Sequence, residues 1–243
     1  MTGSRRAPVA LLLAGGLGTR LRPLTDRVPK CLVPVGGRPL IEHWRMALHD
    51  AGVREVRVNT HHLPEPVRRW MDETNRIGPI RFSESFEPEL LGSAGTITAN
   101  RDLAASADEV LVVYADNLST VDLAAAVEFH RAHRDPFTMV LFETDAPRRC
   151  GIAELAPDGR ILSFVEKPEH PRGNLANAGI YVIDSGLFRE LADRRGFDIA
   201  FDLLPTLEGR MRGFVHRGYH RDIGTPESLA QAESDLATGV ASR

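Results

Sequence analysis

The sequence predicts an α/β protein with a doubly wound, mostly parallel sheet flanked by helices. Three observations support this fold class. Apolar runs of strand length alternate with segments of helical periodicity through the first 145 residues. The first run, VALLLA at 9–14, is continuously apolar, as expected of a parallel strand buried on both faces. Glycines follow that run at once, which is typical of a ligand-binding loop at the carboxyl end of a strand.

The elements before residue 145 follow one another in a βα rhythm. PLIEHWRMALHDAG (39–52) has apolar residues at helical spacing and ends at Gly52, which suits a helix C-cap. Strands are then predicted at 55–60, 80–85, 109–116 and 137–144, and helices at 64–75, 94–104 and 123–133. This rhythm indicates parallel strands joined by crossover helices.

The pattern changes after residue 145. The segment 151–167 predicts two short strands around the turn PDGR, and NAGIYVID (177–184) predicts a further strand. A helix beginning SGLFRELADR follows directly. We therefore expect a small α+β part added to the same sheet, within one domain, because 243 residues suit a single large domain.

Composition narrows the classes of function. The net charge of −3 provides no global basic field, so nucleic acid is not an expected partner. No apolar run is long enough to span a membrane, and none resembles the core of a signal peptide. Cys31 and Cys150 lack metal-ligand spacing, which predicts two reduced thiols in a cytoplasmic protein.

The glycines after the first strand suit a phosphate-binding loop. Gly15, Gly16 and Gly18 would let backbone N–H groups approach phosphate oxygens without a Cβ in the way. The P-loop pattern is absent from this segment. The dinucleotide pattern fails as well, because Leu21 stands where its third glycine would be. These absences argue against a P-loop NTPase and a dinucleotide-dependent oxidoreductase.

Positive charge accompanies the glycines. Arg20, Arg22, Arg27 and Lys30 lie within eleven residues of one another, with Asp26 as the single acid among them. A solvated basic loop is the alternative interpretation of this cluster. Together with the glycines, the cluster predicts a site for an anionic ligand.

The two lysines are unusual in a chain that otherwise uses arginine. Lys30 and Lys167 are the only lysines among thirty basic residues, and each directly adjoins a proline. A compact ammonium differs from a planar guanidinium in shape and hydration. We therefore expect both positions to need an ammonium group, rather than any cation.

A signature extends from the glycine loop: LAGGLGTRLRPLTDRVPKCLVPVGGRPLIEH. Further segments follow in order: LLGSAGTI (90–97), YADN (114–117), CGIAEL (150–155), VEKPE (165–169), NAGIYVID (177–184) and RDIGTPES (221–228). With these segments most of the chain resembles the sugar-1-phosphate nucleotidylyltransferases, and LGSAG is closest to mannose- or heptose-1-phosphate guanylyltransferase-like members. The family's left-handed β-helix does not follow, so the resemblance is to a short form with the catalytic domain only.

The resemblance implies a Rossmann-like nucleotidyltransferase fold and transfer of a nucleoside monophosphate from an NTP to a sugar 1-phosphate, with release of pyrophosphate. It implies a single domain over 1–243, with a nucleotide-binding part at about 9–145 and a sugar-phosphate-binding part at about 146–229. The residues implied to bind the nucleotide are Leu13, Ala14, Gly15, Gly16, Gly18, Thr19, Glu87, Leu91, Gly92 and Ser93. Those implied to surround the sugar phosphate are Gly151, Glu166, Lys167 and Asn177, and those implied to be catalytic are Arg20, Lys30 and Lys167.

The resemblance also implies a magnesium site. Asp116 and Asp222, which lie 106 residues apart, would hold Mg²⁺, an ion that prefers few protein carboxylates beside phosphates and water. Taken singly, each acid suits a turn or a helix cap better than a metal site. Ala115 stands where the family usually has glycine, which adds a methyl group near the expected metal and ribose. The adjacent His61 and His62 are interpreted as structural, since neighbouring strand positions point to opposite faces.

The chemistry requires positioning and charge more than proton transfer, because the nucleophile is an already ionised phosphate oxygen. GTP is the favoured NTP, while UTP or another NTP with a cyclitol or amino-sugar phosphate stays open. A non-catalytic regulatory subunit that binds a sugar nucleotide is the alternative from another class. It is less favoured, because both lysines and both aspartates are present. A homodimer is left open.

Overall fold

The computed structural model describes residues 5–194 and 196–241 and has a mixed α/β fold. The strands are β1 (Val9–Leu13), β2 (Pro34–Val35), β3 (Arg38–Pro39), β4 (Glu55–Thr60), β5 (Arg81–Phe86), β6 (Glu109–Tyr114), β7 (Asn117–Ser119), β8 (Phe137–Glu143), β9 (Gly151–Leu155), β10 (Ile161–Glu166), β11 (Leu175–Asp184), β12 (Met211–His216) and β13 (His220–Asp222). The α-helices are α1 (Leu40–Asp50), α2 (Pro64–Ile77), α3 (Gly92–Ala99), α4 (Leu103–Ser106), α5 (Leu123–Ala132), α6 (Ser185–Ala192) and α7 (Pro226–Ala237). The alternation of strands and helices confirms the predicted α/β class.

The single helix predicted over 94–104 is wrong, because α3 and α4 are separate helices. The break lies at Asn100, which is fully buried. The side-chain Nδ2 of Asn100 donates to the carbonyl of Thr96 at 2.8 Å, and the backbone N–H of Asn100 donates to the same oxygen at 3.2 Å. A side chain that competes for the last carbonyls of a helix favours its ending there.

The described residues form two compact units, each assembled from separate segments of the chain. The first unit comprises Ala10–Leu90, Val113–Leu123 and residues 218–241. Its strands β1, β4 and β5 lie side by side and are parallel. Leu11 and Leu12 of β1 have no exposed surface, as expected of a parallel strand covered on both faces.

The second unit comprises residues 5–9, Leu91–Val112 and Ala124–Arg217. In it β8 pairs with β12 in parallel and with β11 in antiparallel orientation, and β9 pairs antiparallel with β10 and β11. This mixed pairing agrees with the α+β character predicted after residue 145. Neither unit follows the division at that residue, so the assignment of nucleotide to 9–145 and sugar phosphate to 146–229 stays a prediction.

Candidate active site

The glycine loop leaves the end of β1 in the first unit. Gly15 is crowded: a Cβ there would lie 2.7 Å from Nδ2 of Asn59. Gly16 faces open space, since a Cβ there would have no neighbouring atom within 4 Å. Gly18 has a φ of +62°, a conformation that favours glycine, and its carbonyl accepts a hydrogen bond from Oγ1 of the buried Thr25 at 2.7 Å. Packing therefore excludes a side chain at Gly15, and the backbone conformation favours glycine at Gly18, whereas the structure leaves space for a side chain at Gly16.

Lys30 joins the two aspartates that the sequence singled out. Its Nζ donates to Oδ2 of Asp116 at 2.8 Å and to Oδ1 of Asp222 at 3.1 Å. The Lys30 side chain is 8% exposed, whereas those of Asp116 and Asp222 are 39% and 51% exposed. A buried ammonium is stable only when it is paired in this way. The result is a buried cation beneath two carboxylates that reach the surface.

Strand pairing and packing bring the two aspartates together. Strand β13 pairs antiparallel with β7, which sets Asp222 opposite Asn117, the residue after Asp116. The backbone N–H of Ile223 also donates to the carbonyl of Asp116 at 3.3 Å. Ile223 has no exposed surface and packs in a cluster with Val33, Val35, Leu40, Leu118 and Ala232. The apolar residue next to Asp222 thus anchors the carboxylate beside Asp116.

Arg20 lies at the exposed edge of this cluster. Its Nη2 is 3.4 Å from Oδ2 of Asp222, and its side chain is 60% exposed. Gly224 leaves room for it, because a Cβ there would lie 2.6 Å from Nη2 of Arg20. Arg22 of the predicted basic cluster instead pairs with Asp26 at 3.2 Å, four residues along the chain. Arg20 and Lys30, and not Arg22, therefore belong to the aspartate site.

The donor set fits a divalent cation that is shared with a ligand. Across residues 5–194 and 196–241, no group of three or more histidine, cysteine, aspartate or glutamate side chains is placed to hold a metal ion. Asp116 and Asp222 are two carboxylates within reach of one ammonium, so their oxygens lie close together. Mg²⁺ is commonly held by one or two carboxylates together with substrate phosphates and water. The pair suits that mode of binding and does not suit an all-protein cage.

Neighbouring residues complete the local structure. Cys31 follows Lys30 and is buried, and burial raises the pKa of its thiol to about 12, so it stays protonated at neutral pH. Ala115 is fully buried, and its backbone N–H donates to the carbonyl of Leu13 at 3.1 Å, so its methyl group is accommodated at this position. His61 and His62 each place a ring nitrogen near a backbone carbonyl, those of Glu87 at 2.8 Å and Thr25 at 3.0 Å.

Asn59 is a residue that the sequence reasoning missed. It is 5% exposed near the end of β4, and its Oδ1 accepts hydrogen bonds from the backbone N–H groups of Ala14 and Gly15. Its Nδ2 donates to Oε1 of Glu87 at 3.1 Å, and Glu87 is 2% exposed. An asparagine directly after the alternating valines of β4 was the available signal.

The predicted sugar-phosphate residues lie in the second unit. Glu166 stands opposite Gly151 across the β9–β10 pair, and a side chain on Gly151 would overlap the Glu166 carboxylate. Burial raises the pKa of Glu166, and the negative charge of Asp198 adds to this effect, while Lys167 opposes it. Nζ of Lys167 lies 3.7 Å from Oε1 of Glu166, and the Lys167 side chain is 61% exposed. This carboxylate and ammonium can therefore contact a ligand that carries both hydroxyl groups and negative charge.

Asn177 lies where β11 departs from regular pairing with β8. Its Nδ2 donates to the hydroxyl of the buried Tyr181 at 2.8 Å, and its Oδ1 accepts from the backbone N–H of Gly179 at 2.9 Å. Burial raises the pKa of Tyr181, with further contributions from the negative charges of Asp198 and Glu166. Asn177 is thus held in place by the strand that carries it.

The turn predicted to face a nucleobase packs on a loop within the second unit. Gly92 has a φ of +73°, and a side chain there would overlap the carbonyl and ring of Phe197. Oγ of Ser93 donates to Oδ2 of Asp198 at 3.3 Å and accepts from the backbone N–H of Ile199 at 2.8 Å. The hydroxyl of Ser93 therefore secures this loop, while the neighbouring Leu91 is 39% exposed.

The sequence of residues 9–239 matches the family described as Nucleotidyl transferase. The chain belongs to the nucleotidyl transferase family. No helix in the described part of this family member is long and apolar enough to cross a membrane.

Named relatives of this nucleotidyl transferase include sugar-phosphate enzymes. A mannose-1-phosphate guanylyltransferase of Mycobacterium tuberculosis is 32% identical over 236 residues, which cover 96% of this chain and 65% of the relative. The catalytic subunit beta of a mannose-1-phosphate guanylyltransferase of Danio rerio is 35% identical over 225 residues, which cover 90% of this chain and 62% of the relative. The chain thus spans less than two thirds of the length of these relatives.

Two solved structures have the same fold as this nucleotidyl transferase. A Bacillus anthracis protein described as a candidate glucose-1-phosphate thymidylyltransferase has a TM-score of 0.81 at 26% identity, and 94% of each chain is covered. The protein HddC of Yersinia pseudotuberculosis has a TM-score of 0.76 at 24% identity, covering 94% of this chain and 99% of its own. At this identity the similarity to HddC shows a shared fold alone.

Proposed function

We propose that this protein transfers a nucleoside monophosphate from an NTP to a sugar 1-phosphate and releases pyrophosphate. The observation that carries the proposal is the buried Lys30 ammonium, joined to Asp116 and Asp222 beside the glycine loop. The first unit carries this cluster and binds the NTP. The second unit carries Glu166 and Lys167 and binds the sugar 1-phosphate.

The reaction joins two phosphate groups. An ionised oxygen of the sugar 1-phosphate attacks the α-phosphorus of the NTP, a new P–O bond forms, and the bond to the β-phosphate oxygen breaks as pyrophosphate leaves. No general base is needed, because the nucleophile carries no proton at neutral pH. The barrier is lowered by positioning and by cations that offset the accumulated negative charge.

Each basic residue has a distinct task in this scheme. Lys30 neutralises charge at the α-phosphate, and Arg20, at the exposed edge of the cluster, faces the departing pyrophosphate. Gly16 provides its backbone N–H for the triphosphate, since it has open space around it. Lys167 holds the phosphate of the sugar while Glu166 accepts hydrogen bonds from sugar hydroxyls. The exposed side chain of Lys167 can reach a ligand that lies beside Glu166.

Asp116 and Asp222 would hold Mg²⁺ together with the phosphates of the NTP. When bound, the ion supplies positive charge that stabilises the phosphate oxygens in the transition state. Both carboxylates are partly exposed, which allows a ligand to share the ion.

We propose GTP as the NTP. Two relatives that cover most of this chain are named guanylyltransferases, and LGSAG resembles the corresponding turn of that group. Guanine presents adjacent N1–H and N2–H donors, which match a carboxyl group such as that of Glu87, because carboxylate oxygens accept hydrogen bonds. Uracil and thymine flank their single N3–H with two carbonyl oxygens, which a carboxylate would repel.

A pyrophosphate-release assay tests this function. The chain is incubated with each of GTP, ATP, CTP, UTP and dTTP, against mannose, glucose and other sugar 1-phosphates in the presence of Mg²⁺. GTP with mannose 1-phosphate should react fastest. Asp116→Asn should lower kcat/KM at least a hundredfold, about 3 kcal/mol of transition-state stabilisation. Asp72→Asn, at an exposed position of α2, makes the same charge change and should leave the rate unchanged.

The regulatory alternative gives a different result in the same assay. Binding of a GDP-sugar without pyrophosphate release from any pair would contradict the proposal and favour a non-catalytic subunit. Turnover with UTP or dTTP above that with GTP would retain the reaction class and overturn the assignment of guanine.

A further inference from the structure

We propose that Asn59 is a positioning residue that links the glycine loop to Glu87. Through this link the part of the first unit that meets the phosphates of the NTP is held in register with the carboxylate assigned to the base. This inference rests on the proposed function and concerns a residue to which that function assigns no contact with substrate.

Strand register places Asn59 at the point where the loop begins. Asn59 stands opposite Leu13, the last residue of β1, and opposite Ser85 of β5 on its other side. Its side-chain oxygen accepts hydrogen bonds from two consecutive backbone N–H groups, those of Ala14 and Gly15, the latter at 3.1 Å. A single amide oxygen thereby sets the direction in which the chain leaves the strand.

The other end of the same amide is directed to Glu87. Nδ2 of Asn59 donates to Oε1 of Glu87 at 3.1 Å, and both residues are buried, at 5% and 2% exposure. The backbone also holds Glu87, since its N–H donates to the carbonyl of Thr60 at 2.8 Å and its carbonyl lies 2.8 Å from Nδ1 of His61. Asn59 therefore connects the loop to a carboxylate whose backbone is itself held by hydrogen bonds.

Hydrogen-bond chemistry fixes the orientation of the amide. A backbone N–H can only donate, so the amide oxygen must face the loop, and the amide nitrogen then faces Glu87. Aspartate has nearly the same shape but lacks the donor, so it would place two carboxylates together in a buried setting. Such a loss of one donor from a buried pair is costly.

This arrangement explains why residue 15 is a glycine. A Cβ at this position would lie 2.7 Å from Nδ2 of Asn59 and 3.7 Å from Cβ of His61. The absence of a side chain lets the amide reach both loop N–H groups while it still contacts Glu87. The glycine of the loop and the asparagine of β4 are thus parts of one arrangement, 44 residues apart in sequence.

The polarity of the pair can be reversed to test the link. Asn59→Asp removes the donor. In the double variant, Glu87→Gln is combined with Asn59→Asp, so that the glutamine amide donates to the new aspartate. Glu87→Gln alone is the matched control, because the glutamine oxygen can still accept from Asn59. Inorganic tripolyphosphate serves as the probe, since we expect its phosphates to bind the loop and it has no base to contact Glu87.

Asn59→Asp should weaken tripolyphosphate binding at least tenfold by calorimetry, while Glu87→Gln should bind as the unaltered chain does. The double variant should recover binding to within about threefold. If Asn59→Asp does not fold, the double variant must still fold and bind in this range. Normal binding by Asn59→Asp, or a double variant that folds but stays weak, would overturn the link.

Amide hydrogen exchange separates this result from the fate of the proposed function. Exchange in a peptide that covers 11–18 should accelerate in Asn59→Asp and return to its original rate in the double variant, with no ligand present. If the unaltered chain binds neither GTP nor tripolyphosphate, the proposed function fails. The link between Asn59 and Glu87 is then tested by the exchange rates alone. Equal exchange in all four proteins would overturn it.

Discussion

Lys167 is held in a backbone conformation that residues other than glycine rarely adopt. Its φ is +48°, and its backbone N–H donates to the carbonyl of Cys150 at 3.1 Å. A left-handed conformation costs a non-glycine residue about 1–2 kcal/mol. Strain of this kind tends to persist where a side chain has a task, and the preceding Glu166 belongs to the proposed sugar-phosphate site.

Replacing Lys167 with glycine should separate stability from function. Lys167→Gly should unfold at the same or a slightly higher temperature, because glycine adopts this conformation without strain. The KM for sugar 1-phosphate should rise at least tenfold, with a smaller change in the KM for NTP. Calorimetry and steady-state rates measure the two effects.

Leu63 provides the matched control for Lys167, since its φ of +51° is also positive. Leu63→Gly changes the backbone in the same way without removing a charge, so both KM values should be retained. An unchanged sugar-phosphate KM in Lys167→Gly would remove Lys167 from the site.

The loop glycines should respond differently to the addition of one methyl group. Gly18→Ala should lower the free energy of unfolding by about 1–2 kcal/mol, because its φ is +62° and the methyl would lie 2.8 Å from Cγ2 of Thr25. Gly16→Ala meets open space and carries no such strain, so its stability should be unchanged while its affinity for NTP falls. Urea denaturation and NTP titration distinguish the two. Normal NTP binding by Gly16→Ala would show that this backbone does not contact the nucleotide.

At the scale of elements, a capped turn organises the loop that packs on α3. Asp198 precedes a π-helical turn, Ile199–Leu203, and its Oδ1 accepts from the backbone N–H groups of Ala200 at 2.8 Å and Phe201 at 3.2 Å. Asp202 in turn accepts from the N–H groups before the turn, and these bonds lower its pKa. The carboxylates of Asp198 and Asp202 therefore accept hydrogen bonds from the backbone N–H groups of this loop.

Removal of the cap should loosen this loop. Asp198→Ala should destabilise the protein by about 1–2 kcal/mol, the usual cost of losing a helix N-cap. Asp198→Asn retains an acceptor oxygen and should recover most of that loss. Thermal unfolding measures both variants, and equal melting temperatures for Asp198→Ala and the unaltered chain would contradict the capping role.

At the scale of the whole molecule, one histidine links stability to pH. His133 follows α5, and its Nε2 lies 2.9 Å from Oγ1 of the buried Thr138. Burial lowers the pKa of His133 below 6.5, and the nearby positive charges of His130 and Arg212 add to this effect. The native state therefore favours the neutral ring.

Acidification should thus destabilise the fold through His133. Below about pH 6.5 the unfolded chain takes up the proton before the native chain does, so stability falls as the pH drops toward the lower native pKa. His133→Gln should reduce the change in melting temperature between pH 7 and pH 5. The prediction fails if the variant and the unaltered chain lose stability equally over that interval.

Local patterns account for much of the fold. Apolar runs and helical periodicity predicted β1, β4 and α1 close to their observed bounds, because burial of one face or of both leaves a direct trace in sequence. Strands of two or three residues, such as β7 and β13, carry too few positions to show a period. The missed strands include the pair that sets Asp222 beside Asp116.

By itself the sequence determined the family signature, the glycines and the rarity of the two lysines, because these depend only on which residues are present and in what order. The tertiary structure alone decided that Lys30 lies between Asp116 and Asp222, and that Gly15 makes room for Asn59. These contacts join segments that are distant in the chain, and chain separation has no fixed relation to distance in a folded protein. The packing of Ile223, the antiparallel pairing of β13 with β7 and the parallel register of β1 with β4 bring those side chains within hydrogen-bond reach.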